Sequence, residues 1–214
     1  MTIWDKIYKD YLKGGPAWAT IEGKLLPLFV DFVKDDKWEV KYALEIGCGM
    51  GKYLVFLQKL GFRVDGIDSS PTAVRMTKSN LKSGSRIIKA DMFEYKIPRK
   101  KYNLIFSIAT VHHGLKPAVK KVIDEIYAAL VPGGKFFITL PDLKSNREWK
   151  TFLNHQDLGG GTFAPVSGPE KGLAHSFYTK LEVKKLFENF KKVKIVLDDH
   201  GKIVHGHWII SGEK

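Results

Sequence analysis

The chain has 214 residues, 44% of them hydrophobic and 27% charged, a size and balance that suit one well-cored domain and are short for two. No run approaches the roughly eighteen apolar residues that span a bilayer, and MTIWDKIYKD lacks the apolar segment of a signal peptide, so cytoplasmic residence and no membrane partner are expected. The formal charge of +12 raises the question of a polyanionic partner, but lysine dominates and is scattered singly or in pairs, whereas arginine is the usual phosphate clamp; nucleic acid stays open as the less favoured partner.

Ile3, Ile7 and Tyr11, with Trp4 and Tyr8 one place on, predict a helix over 3 to 13 that Gly14, Gly15 and Pro16 end. Ile21, Leu25, Leu28, Phe29 and Phe32 give a second helical face over 19 to 34, with Pro27 either a kink or a boundary. From Lys41, strands near 42–46, 62–67, 86–89, 102–108 and 134–140 alternate with helices near 51–60, 71–82 and 116–130. Such alternation requires right-handed crossovers and a parallel sheet with helices on both faces. Ser70 and Pro71 read as a helix start, and Pro132–Gly134 as a helix stop. A short helix around Trp149 is expected within 142–156. Leu158 to Gly172 is too rich in glycine and proline to be a regular element, and reads as a substrate lid or else a disordered insertion. A helix over 179–189, capped by Thr179 with Leu181, Leu186 and Phe187 facing inward, precedes two strand-like runs around a turn at Asp199 to Gly201.

The stretch that carries most chemistry is ALEIGCGMGK, Ala43 to Lys52, which reads as strand, tight turn and helix start. Gly47, Gly49 and Gly51 tolerate positive φ and close backbone approach, and their amides are expected to point at a ligand. A dinucleotide fingerprint would carry its third glycine where Lys52 stands. Glu45 beside the turn would repel phosphates and attract an ammonium, so the expected ligand is zwitterionic or cationic. The single cysteine, Cys48, excludes an internal disulfide and reads as a small buried residue rather than a nucleophile.

An acid before G-x-G-x-G, followed in order by VDGIDSS (64–70), KADMFEY (89–95) and YNLIFSIATVHHG (102–114), resembles the motifs of the class I S-adenosylmethionine-dependent methyltransferases, and the likeness runs from about Trp4 to the C-terminus. The resemblance implies an α/β, doubly wound, Rossmann-like sheet of seven mostly parallel strands with an antiparallel last strand. It implies one methyltransferase domain over 1–214: a helical cap (1–40), a cofactor core (41–140), a lid (141–178) and a final helix with hairpin (179–214). The implied cofactor is S-adenosylmethionine, leaving as S-adenosylhomocysteine. By position, Glu45 would orient the methionine ammonium, Gly47, Cys48 and Gly49 would give backbone contacts, and Gly51 would permit close approach. Asp68 would take the ribose hydroxyls beside Ser69, Asp91 and Met92 would meet the adenine, and Ser107 would hold the methionine end by its carbonyl. Tyr11 and Trp18 are candidates for the cofactor lid.

Methyl transfer needs alignment and exclusion of water, and histidine is suited to take the acceptor's proton. His112 and His113 are therefore the catalytic candidates, with His175, Tyr178 and His207 lining the acceptor pocket; His155, His200 and His205 read as surface residues. No metal is expected, since adjacent histidines on a strand point apart and neither a second cysteine nor an H-x-x-x-H spacing assists. The asparagine-proline-proline-aromatic signature of many amino-methylating relatives is replaced by SIATVHHG. The expected activity is transfer to a small-molecule acceptor at oxygen, nitrogen, sulfur or a metalloid, the alternatives being an RNA-modifying enzyme and a non-catalytic cofactor-binding module.

Overall fold

The computed structural model describes residues 2–15, 20–147, 154–198 and 206–214. Its main sheet has seven strands in the order β3 (Arg86–Lys89), β2 (Arg63–Asp68), β1 (Tyr42–Ile46), β4 (Tyr102–Ser107), β5 (Leu130–Pro141), β10 (His207–Glu213) and β9 (Lys191–Asp198). The first five are parallel to one another, and β10 runs antiparallel to both its neighbours. The fold class read from the sequence is the one observed.

Successive residues of a strand face opposite sides of the sheet, so the near-continuous apolar runs of β1, β4 and β5 feed two cores. Leu44, Ile105, Phe136 and Ile138 face helices α5 (Lys116–Ala129) and α7 (Lys180–Leu186). Ala43, Leu104, Phe106 and Phe137 face α2 (Pro27–Lys34) and α3 (Lys52–Lys59). Phe29 of α2 centres that second layer, its ring 4.7 Å from Phe106, 5.1 Å from Phe137 and 5.2 Å from Tyr53. Two filled faces hold the carboxyl ends of the central strands in fixed register, Glu45 opposite Gly66 on one side and Phe106 on the other.

The helix starts follow local chemistry. Thr2 caps α1 (Ile3–Tyr11) by accepting from the amide of Asp5, Ser70 caps α4 (Pro71–Asn80) by accepting from Ala73, and Thr179 with Glu182 forms a reciprocal capping box on α7. Pro27 is the first residue of α2, so it marks a boundary and not a kink. Among the described residues, no helix is long and apolar enough to cross a membrane.

Three expectations need correction. Pro132–Gly134 does not stop α5: Leu130 already pairs with Tyr102, and the proline and glycines sit inside β5 where its register with β4 shifts, Gly133 at φ +72°. The glycine-rich stretch is irregular only in part: its first half joins a second, antiparallel sheet of β6 (His155–Gly159), β7 (Thr162–Pro165) and β8 (His175–Ser176), while 166–172 remain turns and bends. Gly159, Gly160 and Gly161, at φ +85°, +59° and +78°, make only the turn between its first two strands. Leu181 does not face inward; it is 76% exposed, and Val183 and Phe187 fill the space under α7. The short helix, α6, spans Leu143–Arg147. Trp149 and the turn at 199–201 lie outside the described residues.

Candidate active site

A cavity of about 620 Å³ opens at the carboxyl ends of β1 to β4. Each of those strands ends in a loop on its wall, and α1 and the connection between β7 and β8 close its sides. Open α/β sheets bind ligands at this edge because the strand-to-helix loops converge there.

The glycine turn forms the floor, in a way the sequence did not disclose. The amides of Gly47 and Cys48 both donate to the carbonyl of Ile67 (2.9 and 3.0 Å), that of Gly49 to Asp68 Oδ2 (2.9 Å), and that of Gly51 to the Cys48 carbonyl (2.8 Å). These N–H groups are consumed within the protein and do not point at a ligand, so the turn offers closeness and not an anion cradle. Gly47, at φ +74°, lies so close to Thr110 that a Cβ would stand 2.1 Å from its methyl carbon, and a Cβ on Gly49, at φ +53°, would stand 2.6 Å from the Tyr8 hydroxyl. Gly51 caps α3 below the cavity and is not on its wall. Burial, and then the charges of Asp68 and Glu45, push the Cys48 thiol well up, and its sulfur packs against Gly66 as the small buried residue foreseen.

Four carboxylates stand on the wall, Glu45, Asp68 and Asp91 at the ends of β1 to β3 and Glu170 in the β7–β8 connection. Glu45, 4% exposed, has no partner for Oε2 among the described residues. Burial, reinforced by the charge of Asp68 and partly offset by that of Lys52, holds its pKa well above the usual carboxylate range. Asp68 accepts the Gly49 amide on Oδ2 and the Ser70 amide on Oδ1, both at 2.9 Å, and burial lifts its pKa against those hydrogen bonds. Asp91 accepts the amide of Phe93 at 2.9 Å, and Met92 and Ser69 line the same cavity.

The cover comes from α1. Trp4 and Tyr8 line the cavity, whereas Tyr11 does not, and Trp18 lies outside the described residues. Trp4 and Tyr8 belong to the helical face visible in the sequence; the face was legible, but not which end of it meets the cavity. Asp5 pins this helix, accepting the Ser70 hydroxyl and the Thr72 amide (3.1 Å each) and pairing with Lys9 at 2.9 Å. Burial opposes its charge, but the bonds from Lys9, Thr72 and Ser70 together hold its carboxyl well below the usual range.

Opposite the carboxylates, histidines converge. After β4 the chain turns through Ala109, a non-glycine residue at φ +53° whose amide donates to Thr139 Oγ1 at 2.7 Å, and then places His112 and His113 in a turn and not on a strand. Their rings lie 4.0 Å apart between centroids; His175 of β8 is 4.7 Å from His113, and His207 of β10 is 5.6 Å from His112. All four line the cavity. Burial, then the neighbouring imidazoles, push His112 well down, and burial, then His175, pushes His113 down to about 3. Tyr178 does not join them: it is buried under Lys116, and its carbonyl receives Trp208 Nε1 at 2.8 Å. Ser107 is also absent from the wall, its hydroxyl bonding the Ile46 carbonyl at 2.9 Å, and Ile108 to Thr110 take its place. His155 is half-buried on the small sheet, and His200 and His205 lie outside the described residues. Glu170, missed in the sequence, bonds His175 Nε2 at 3.0 Å.

Residues 43–134 match the family model described as a methyltransferase domain. The chain is 30% identical over 139 residues to malonyl-[acyl-carrier protein] O-methyltransferase 2 of Ilyobacter polytropus, covering 60% of this chain and 51% of the relative. It spans about half the length, or less, of the first curated relatives it matches. The PH0226 protein of Pyrococcus horikoshii OT3 superposes with a TM-score of 0.73 at 20% identity, over 95% of this chain and 98% of that one. The 1,6-didemethyltoxoflavin-N1-methyltransferase of Burkholderia thailandensis, solved with S-adenosylhomocysteine bound, gives 0.65 at 16% identity, over 98% and 84%. At these identities the structural likeness is one of fold.

The glycine turn yields a direct test. Gly61→Ala places a side chain at φ +83° with nothing within 4 Å, and is expected to cost about 1–2 kcal/mol of conformational strain. Gly47→Ala meets Thr110 as well and should cost about 1–3 kcal/mol more from overpacking. Chemical denaturation of both variants, and of Gly47→Ala combined with Thr110→Gly, which removes the Thr110 Cβ that would stand 2.7 Å from the new one, checks this: the second substitution should recover part of the difference.

Proposed function

We propose that this chain, which belongs to the class I S-adenosylmethionine-dependent methyltransferases, transfers a methyl group from that cofactor to a small-molecule acceptor held among His112, His113, His175 and His207. The observation that carries the small-acceptor reading is the enclosure of the histidine end of the cavity, where His112 and His113 are only 5% and 8% exposed beneath α1 and the β7–β8 connection. A buried chamber favours an acceptor that enters whole. We read residues 1–214 as one catalytic unit of cap, core, lid and closing hairpin.

The residues fit the cofactor. A buried carboxylate oxygen with no protein partner, Glu45 Oε2, calls for a cation or a proton, and an amino-acid ammonium meets that need. A turn whose amides are already bonded suits a ligand without phosphates. Asp68 would hold the ribose hydroxyls with the oxygen lone pairs its two amides leave free, and Asp91 and Met92 would meet the adenine. When bound, the sulfonium supplies an electrophilic methyl group that carries its own leaving group.

The protein's part is then to position the acceptor, exclude water and hold a proton. Trp4 and Tyr8 shield the chamber from solvent. Ala109, fixed by Thr139, sets the path of the turn that aims the two histidines. Both imidazoles are neutral at working pH because burial disfavours their cations, and their Nδ1 atoms are sealed without partners. That leaves Nε2 of His113 to accept a hydrogen bond from the acceptor's O–H or N–H and to take its proton as the methyl arrives.

Incubation of the protein with cofactor labelled in its methyl group and an extract of the source cells tests the acceptor class. Label should accumulate in the low-mass fraction; label in RNA, released by ribonuclease, overturns the small-acceptor reading. In the same assay His113→Ala should lower turnover about 10²–10⁴-fold, the usual contribution of general acid–base catalysis, with cofactor affinity nearly unchanged by calorimetry.

A pH dependence follows from Glu45. Its free carboxyl is protonated above the ordinary range, and binding an ammonium requires it to ionise, so binding releases a proton and tightens as pH rises. S-adenosylhomocysteine affinity should therefore climb from about pH 5.5 to 7.5, below the range in which an α-amino group itself loses its proton. Glu45→Gln should abolish the slope and weaken binding throughout.

A further inference from the structure

The turn that carries His112 and His113 is clamped to the strand that carries His175. The His113 amide donates to the Thr110 carbonyl (3.0 Å) and the Gly114 amide to the His112 carbonyl (2.9 Å). The same His112 carbonyl accepts the Ser176 amide at 2.9 Å, and the Ser176 hydroxyl donates to the Gly114 carbonyl at 2.7 Å. Backbone bonds thus fix three imidazoles on one spot, and each presents a ring nitrogen within 4.8 Å of the other two. The buried Nδ1 atoms of His112 and His113 have no hydrogen-bond partner of good geometry among the described residues. Unsatisfied imidazoles packed together cost free energy unless something bonds to them.

His175 supplies a second observation. Its Nδ1 lies 2.9 Å from the Leu173 carbonyl, which only accepts, so Nδ1 carries the ring proton of the neutral form and Nε2 keeps the lone pair. That lone pair faces Glu170 Oε2 at 3.0 Å, acceptor against acceptor until a proton, giving an ion pair, or a metal ion joins them. A carbonyl bond on one nitrogen that frees the other is the outer support of metal-bound histidines. A separation of 3.0 Å is also close to the edge between neighbouring nitrogen and oxygen ligands at roughly 2.0–2.2 Å from one ion.

We propose that His112, His113 and His175, joined by Glu170, form a binding site for a divalent first-row transition-metal ion, zinc foremost, at the acceptor end of the cavity. Neutral imidazoles suit such ions, and a carboxylate offsets part of the charge. Nitrogens around one ion at about 2.1 Å stand roughly 3.4 Å apart in a tetrahedron, so a pair within 4.8 Å closes by at most about 1.4 Å through ring rotation. His207, 5.6 Å from His112 between ring centroids, borders the site. The sequence expectation of no metal assumed that adjacent histidines lie on a strand and diverge; in the turn they lie side by side. This site rests on the methyltransferase reading above and replaces one role in it: with the ion bound, His113 is a ligand and not a base, and an acceptor oxygen, nitrogen or sulfur would displace Glu170 or enter as a fifth ligand and lose its proton more readily on the ion.

The full chain, stripped with a chelator, is titrated with cobalt(II) chloride, followed by visible absorption, and then with zinc chloride in competition. The expected result is one equivalent of cobalt with ligand-field bands of tetrahedral intensity, bleached by zinc. His112→Ala and His175→Ala should weaken binding at least ~10-fold, the scale lost even on removing an outer partner of a ligand. S-adenosylhomocysteine affinity, measured on the same samples, reports folding and keeps the two readings apart. Protein that binds S-adenosylhomocysteine but shows no bands with excess cobalt overturns the metal site while sparing the methyltransferase reading. Bands that persist in both alanine variants overturn it too, by placing the ion elsewhere. Should those variants fail to fold, His175→Gln and Glu170→Gln serve: a shifted spectrum with weaker binding supports the site, and an unchanged one in both refutes it.

Discussion

Asp68, at the end of β2, is the carboxylate on which the site depends. One oxygen takes the amide of Gly49 and the other that of Ser70, so a single side chain ties the glycine turn after β1 to the start of α4. Ser70 passes the constraint on, because its hydroxyl donates to Asp5 and so draws α1 across the cavity mouth. Asp5 also accepts the Thr72 amide in the first turn of α4, where a negative charge is stabilised by unpaired N–H groups and the helix dipole. Floor, wall and cover are thereby one hydrogen-bonded unit.

The cavity is divided electrostatically by one cause acting in opposite senses. Burial disfavours charge, so it raises the pKa of Glu45 and Asp68 and lowers that of His112 and His113. One end therefore awaits a cation and the other offers uncharged lone pairs. The division follows from the strand order: β1 and β2 deliver the carboxylates, while the turn after β4, β8 and the start of β10 deliver the imidazoles. The small sheet of β6 to β8 matters because it brings His175, and through its connection Glu170, to a chamber that the main sheet alone would leave open.

The strands and helices of the core were legible because their signals are local. An alternating or continuous apolar run such as YNLIF, a cap such as Ser70 before Pro71, and an acid at a strand end such as Asp68 need no distant partner to be recognised. The failures share the opposite property. Glycines at 159–161 looked like part of an irregular lid because a turn and a loop have the same composition, and only pairing of the flanking segments separates them. Leu181 looked inward because it is apolar, but a seven-residue helix has one buried stripe, and Val183 and Phe187 occupy it. Tyr178 followed the lid in sequence yet turned into the core beneath Lys116.

By itself the sequence determined the order of the main sheet's strands and helices along the chain, the parallel sheet and the acids at the ends of β1, β2 and β3, since these rest on periodicity and on residues a few places apart. Only the tertiary structure decided where the amides of the glycine turn point, for their acceptors, Ile67 and Asp68, sit on the next strand. It alone decided that histidines at 112, 113, 175 and 207 meet, because contacts between residues so far apart arise from how the chain packs and leave no trace in local pattern.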